Sequence, residues 1–259
     1  MINNLLYVYC ISNNPLLLPS KLASSGLKSL VFNDFNVLYK LVSESDYSET
    51  NFLDIKWLET NSREHMRVIT AAMEFGAVVP FKFGTIFNTK ISLKKFTTDY
   101  SDSLIENFKY VKEKQEWAVK IYCDRKVLLG CMGKLSVEIE NLEKTIAASS
   151  PGKAYLLRSK KTGLLENEMD KLCSEYGQKY YNEFSRMSTS ANIANLLMKE
   201  SSGRKDTMIL NATFLVSKKN SDDFIKKANN FAKEDVHIGF CVETTGPWPP
   251  FNFTSIKEK

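Results

Sequence analysis

An α+β chain of two domains is predicted, with ferredoxin-like sheets, packed helices and a helical hairpin inserted in the second domain. Three observations carry that prediction. Several short runs are apolar or alternate at period two and are bounded by turn residues, the mark of strands. Between them, apolar residues recur three and four apart, the mark of amphipathic helices. From Trp117 onward the order is strand, helices, strand, strand, helix, strand, which is the βαββαβ arrangement with an enlarged first crossover. The predicted divisions are an N-terminal α+β domain over 1–114, a C-terminal ferredoxin-like α+β domain over 115–243 and a Pro/aromatic tail over 244–259.

Leu5 to Ile11 is an apolar run rich in Tyr, Val and Ile, closed by Ser12-Asn13-Asn14-Pro15, and reads as a buried first strand. Leu27 to Phe32 and Val37 to Val42 flank Asn33-Asp34-Phe35-Asn36, residues that tolerate tight turns, so a hairpin is expected. From Asp54 to Phe75, Trp57, Leu58, Val68, Ile69, Ala72 and Met73 form one face and Glu59, Arg63, Glu64 and Arg67 the other, which predicts an amphipathic helix. Val78 to Phe87 reads as a strand interrupted at Pro80 and Gly84, and Ile91 to Lys114 as a further helix.

The second half opens with Trp117, Val119, Ile121 and Cys123 at every second position, a half-buried strand. Leu135, Ile139, Leu142 and Ile146 then follow helical spacing until Ser149-Ser150-Pro151-Gly152, where Ser150 suits an N-cap and Pro151 the first helical position. The next helix carries Leu165, Met169, Leu172, Tyr176, Tyr180, Phe184 and Met187, so two adjacent helices should form a hairpin. Strands over Asn192 to Met198 and Thr207 to Val216, a helix over Ser221 to Lys233 behind a Ser221 cap, and a strand over Val236 to Val242 complete the pattern.

The 259 residues are 43% hydrophobic and 12% aromatic, enough to fill cores without disulfides or metals. The net charge of +5 is spread along the chain and is no nucleic-acid footprint. Cys10, Cys123, Cys131, Cys173 and Cys241 are widely spaced and contain no CxxC pair, which argues against a disulfide framework or zinc site and for a reducing compartment. With neither a signal-like amino terminus nor about twenty consecutive apolar residues, a cytoplasmic protein without a membrane span is expected.

No catalytic, cofactor-binding or metal residues are assigned. His65 and His237 are the two histidines and lie in different predicted elements, the first read as partly buried with one hydrogen bond, the second as an outward residue of a strand. GxSxG, Walker A and GxGxxG patterns are missing from the sequence. Asp222-Asp223 complement a helix N-terminus, and Arg158, Lys160 and Lys161 read as a solvated face.

Two segments stand apart from this ordinary background. Val78 to Phe87 holds three Phe, Pro80 and Gly84, and an edge that bears Phe side chains is adhesive. Thr245 to Phe253 holds three prolines, which hold an extended ribbon bearing Trp248, Phe251 and Phe253, with Gly246 as its turn. For Trp248, docking on its own domain is expected. The candidate partner-binding residues are Pro80, Phe81, Lys82, Phe83, Gly84, Gly246, Pro247, Trp248, Pro249, Pro250 and Phe251.

In this order and at this separation, Val79-Pro80-Phe81-Lys82-Phe83-Gly84-Thr85 and Gly246-Pro247-Trp248-Pro249-Pro250-Phe251 resemble the central "P-basic-FGT" and carboxy-terminal "GPWPPY" signatures of the gas vesicle protein GvpL/GvpF family. Trp117-Ala118-Val119-Lys120, Gly152 to Leu156 and Leu210 to Val216 also fit. Phe251 replaces a usual Tyr, and Lys82 a common Arg, which removes a bidentate donor. The resemblance implies a non-catalytic α+β protein of two domains that contacts the small hydrophobic shell protein and other gas vesicle proteins; from the residues, no cofactor, nucleic acid or membrane partner is expected. On that reading the chain shields or delivers shell subunits through an aromatic or strand-edge surface. The rivals are a small-molecule or haem-binding protein on a ferredoxin-like fold, and an RNA-binding sheet; few histidines and modest charge speak against them.

Overall fold

The computed structural model describes residues 5–13, 26–32, 34–199 and 203–256. The chain divides into two compact units, Met1–Glu116 with Pro247–Lys259, and Trp117–Gly246. Both are mixed helix and sheet, as the α+β class requires.

In the first unit, strand β1 (Leu5–Ser12) lies inside a sheet with β2 (Leu27–Phe32), β3 (Phe35–Val42), β4 (Val78–Pro80) and β5 (Ile86–Phe87). The order is β2-β3-β1-β4, with β5 also on β1 and all pairings antiparallel. β1 is buried on both faces, so its sequence is a continuous apolar run. The register slips between Val8 and Cys10. This bulge resets the two-residue alternation: Tyr7, Tyr9 and Cys10 join one core with Val68, Ile69 and Ala72, whereas Leu6, Val8 and Ile11 join another with Leu93, Leu104 and Phe108.

The short helix α1 (Glu49–Leu53) precedes helix α2 (Ile55–Ala72). Asp54 caps α2 by accepting the backbone N–H groups of Lys56 and Trp57 at 2.9 and 3.3 Å. His65, Val68, Ile69 and Ala72, spaced three and four apart, form its buried stripe. The strand expected over Val78 to Phe87, interrupted at Pro80 and Gly84, is the pair β4 and β5 separated by a turn that starts after Pro80 and holds Gly84. Helix Ile91 to Lys114 is likewise two helices, α3 (Lys90–Asp99) and α4 (Ser101–Val111), with the break at Tyr100. The strand that follows starts at Lys114, within the expected helix, after Glu113 takes a left-handed φ of 56°.

In the second unit, β6 (Lys114–Cys123), β7 (Ser190–Ile193), β8 (Thr207–Ser217) and β9 (Phe240–Trp248) are ordered β7-β8-β6-β9. This is the strand order of a βαββαβ layer. The inserted helices number three rather than two: α5 (Arg125–Leu135), α6 (Val137–Ala147) and α7 (Pro151–Arg186). Pro151 opens α7 as expected, although the Ser150 side chain makes no cap bond. At 36 residues α7 is about 54 Å long. Its far end supplies Tyr180 and Phe184 to a core shared with Phe214 and with Phe224 and Phe231 of helix α8 (Ser221–Glu234). The N-cap of α8 is Asn220, not Ser221, whose hydroxyl donates back to the Ser217 carbonyl.

Two strand expectations shift. The edge strand is Ser190–Ile193, not Asn192 to Met198, and Ala194–Met198 is irregular. Val236–Ile238 is a 3-10 turn closed by Gly239 at φ 99°, and the strand begins at Phe240. A Cβ on Gly239 would lie 2.8 Å from the Asp124 carbonyl oxygen, so glycine is required both by conformation and by space. His237 therefore sits exposed on a turn and not on a strand face.

Phe184 is fully buried against Phe214, Phe224 and Phe231. Phe184→Ala is expected to lower stability by about 3–5 kcal/mol, read from the urea midpoint at unchanged m-value.

Candidate functional site

Four groups of the first unit form one polar chain inside an apolar surround. His65 Nε2 lies 2.9 Å from the Phe81 carbonyl oxygen. A carbonyl only accepts, so Nε2 carries the proton, and Nδ1 accepts from the Tyr7 hydroxyl at 2.7 Å. The Tyr7 oxygen in turn receives the Gly84 N–H at 3.5 Å, a long bond. His65 thus makes two bonds where one was expected, and both ring nitrogens are occupied. Burial holds its pKa below the ordinary 6.5, against the smaller opposing pull of the Phe81 carbonyl. Burial also pushes the Tyr7 phenol far above its usual value.

Rings close around this chain. Tyr9 stacks on His65 with centroids 5.4 Å apart, Phe83 meets it edge-on at 5.7 Å, and Phe251 lies at 6.3 Å. Phe83 also contacts Phe52 and Trp57.

The turn from Phe81 to Thr85 is held from both ends. The Phe81 N–H donates to the Tyr9 carbonyl at 2.9 Å, and the Val8 N–H donates to the Thr85 carbonyl at 3.0 Å. Within it, the Thr85 N–H and hydroxyl both donate to the Lys82 carbonyl, at 3.2 and 2.7 Å. Gly84 adopts φ 85°, and a Cβ there would press on the Phe52 ring at 3.3 Å. Pro80 and Phe81 are buried, Phe83 and Gly84 half-buried, and Lys82 is exposed.

The carboxy-terminal segment folds into the same unit. Pro249 and Pro250 are buried, and two tight turns follow, with Phe251 N–H to the Pro249 carbonyl and Phe253 N–H to the Pro250 carbonyl. Two buried polar side chains then grip it. The Glu116 carboxylate accepts the Asn252 backbone N–H at 3.0 Å and its side-chain amide at 2.6 Å. The Asn107 amide donates to the Ser255 carbonyl at 2.9 Å and accepts the Ser255 N–H at 3.0 Å, copying a strand pairing. Burial raises the Glu116 pKa, while the two Asn252 bonds pull it down. Neither Glu116 nor Asn107 was signalled by sequence, since each has its partner well over a hundred residues away.

Between the two segments lies an open cleft of about 960 Å³. Val79 to Lys82, Thr85, Phe96 and Tyr100 form one part of its lining, and Phe251, Asn252 and Thr254 to Ile256 the other. Lys82 is the one charged residue in that lining. Of the candidate residues, the cleft brings together Pro80, Phe81, Lys82 and Phe251. Phe83 and Gly84 serve the aromatic cluster, and Gly246 and Pro247 are exposed on β9. Trp248, 37% exposed, lines a shallower groove along α2 with Arg63, Met66, Arg67 and Thr70.

Among the described residues there is no group of three or more His, Cys, Asp or Glu side chains placed to hold a metal ion. No described helix is long and apolar enough to cross a membrane.

Fold and site define an α+β protein whose carboxy-terminal aromatic segment completes the core and cleft of its first unit. The chain belongs to the gas vesicle synthesis protein GvpL/GvpF family, whose model matches residues 5–255. It is 23% identical over 210 residues to gas vesicle protein L of Streptomyces sp. (strain CB03234), covering 80% of this chain and 73% of that one. Its fold is similar to the crystal structure of gas vesicle protein GvpF from Anabaena sp. PCC7120, at TM-score 0.71 and 19% identity over 98% of this chain and all of the other. It is also similar to GvpF from Microcystis aeruginosa, at TM-score 0.67 and 17% identity over 97% and 99% of the two chains.

The His65 arrangement carries a pH signature. Its folded pKa is depressed, so the unfolded chain takes up the proton first. The stability held by the neutral ring is complete above about pH 6.5 and is lost as pH falls from there toward the folded value. The expected slope is positive and at most about 1.4 kcal/mol per pH unit, the limit for one proton, and His65→Gln, which keeps one donor and one acceptor, should remove it from urea midpoints compared between neutral and mildly acid pH.

Proposed function

We propose that this protein works without catalysis in the cytoplasm, as an accessory or minor structural protein of gas vesicles that binds the shell protein and supports its assembly. The single observation that carries this reading is the convergence of the two signature segments, far apart in sequence, on one cleft whose lining is largely apolar around a lone cation. Such a surface suits an apolar polypeptide segment with a carboxylate near it, because apolar burial supplies affinity and Lys82 supplies orientation. The resemblance to GvpL/GvpF proteins supplies the partner, a small hydrophobic shell subunit. A haem-binding role is not favoured, because both ring nitrogens of the buried His65 are already bonded, and ligating iron would cost it either the Phe81 carbonyl or the Tyr7 hydroxyl.

The test is co-purification with the shell protein. Phe81 is unsuitable for substitution, being 7% exposed and part of the core. Lys82→Glu and Trp248→Ala change exposed or partly exposed groups and leave the core intact. Each is expected to lower recovery of the shell protein about fivefold or more, the effect of an anchor worth ~1 kcal/mol, with an unchanged circular dichroism spectrum. Recovery equal to wild type in both variants removes the cleft and the adjoining groove from the interface.

A further inference from the structure

The first turns of α7 carry a second surface, in the second unit, that neither the core nor the cleft uses. From Lys144 to Leu165 there is no Asp or Glu, while Lys144, Lys153, Arg158, Lys160 and Lys161 are basic. Two of the five are internally paired, Lys144 with Glu140 and Lys161 with Glu143, each at 2.6 Å. Among the described residues, no carboxylate pairs with Lys153, Arg158 or Lys160. The Lys161 bridge also fixes the helix rotation. Ala154 is buried and Leu157 and Lys161 half-buried, so this stripe faces α6.

The opposite stripe is therefore outward, and it is apolar. Tyr155 is 73% and Leu156 64% exposed. Leu156 has Lys153 three residues before it and Lys160 four after, and Tyr155 has Arg158 three after, so each exposed apolar group is flanked by a base on the same helix face. Gly163 continues the stripe from Leu156 and Ser159. A Cβ on Gly163 would meet nothing within 4 Å, so packing within the chain gives no reason for glycine in a helix interior, where alanine is better. It leaves room for another backbone to approach.

The geometry points to this stripe as a docking face for an acidic amphipathic helix of a partner polypeptide. Tyr155 and Leu156 are covered by the partner's apolar seam, its backbone passes over Ser159 and Gly163, and its flanking carboxylates pair with Lys153, Arg158 and Lys160. Charge complementarity selects this occupant, because a neutral apolar helix would leave three cations facing an apolar contact.

The full chain is titrated by fluorescence anisotropy with a synthetic amphipathic peptide of about eighteen residues, five turns, whose Leu seam is flanked by Glu. A control peptide carries Gln in place of Glu. The Glu peptide is expected to bind with an affinity that falls as salt rises. The Lys153→Glu/Lys160→Glu variant should weaken it about tenfold. Leu156→Ser should also weaken it while the urea midpoint stays at the wild-type value. Absence of Glu-peptide binding, equal binding by the charge-reversed variant, or equal binding of the Gln peptide overturns the proposal. So does binding to vesicles of phosphatidylcholine and phosphatidylglycerol without binding to the peptide.

Discussion

The first unit is organised around one neutral imidazole. His65 reaches from α2 to the hydroxyl of Tyr7 on β1 and to the backbone of Phe81 in the turn, with the Phe251 ring beside it. A buried polar group is tolerated only when its bonds are made. Histidine suits the position because a neutral ring offers one donor and one acceptor on opposite edges, and here one faces a carbonyl and the other a hydroxyl. Phenylalanine would fill the space but leave the Tyr7 hydroxyl proton and the Phe81 carbonyl without the bonds that His65 makes to them. The imidazole is thus a spacer that fixes the turn bearing Lys82, and its chemistry as base or ligand is suppressed by the same bonds.

The carboxy-terminal segment is fixed by a different device. Glu116 and Asn107 present side chains to backbone groups that have no strand partner of their own, at Asn252 and Ser255. Glu116 is 3% exposed, and burying a carboxylate is costly unless it is well bonded. Two Asn252 donors offset that cost in part, which is why burial still dominates its pKa. Prolines 249 and 250 reduce what ordering the segment costs, since their φ angles are restricted before folding.

Periodic features were legible in the sequence and punctual ones were not. The stripe of α2, the alternation of β6, the start of α7 at Pro151 and the hairpin of β2 and β3 follow from spacing and turn chemistry that act locally. Tyr100 ends α3 without a Pro or Gly to announce it. Val236-His237-Ile238 has the composition of a strand and forms a turn, because Gly239 must pass against the Asp124 backbone. The two signature segments were recognisable by their Pro, Gly and Phe content, but the role of their rings as core or surface was not. Phe81 faces inward where β4 ends at Pro80 and its own N–H is claimed by the Tyr9 carbonyl, a tertiary event. Glu116 shows the limit most clearly: nothing near it in the sequence distinguishes a surface carboxylate from one that clamps Asn252.

The first unit is assembled from two stretches, up to Glu116 and from Pro247 onward, with the entire second unit between them. A ribosome delivers residues in order, so the ring of Phe251 and the groups that line the rest of the cleft emerge after the sheet of the first unit and the entire second unit. Until then the sheet of β1 to β5 has all its strands, yet the cleft has seven of its twelve lining residues. A chain cut short before Pro247 therefore lacks one side of the cleft even if its sheets form.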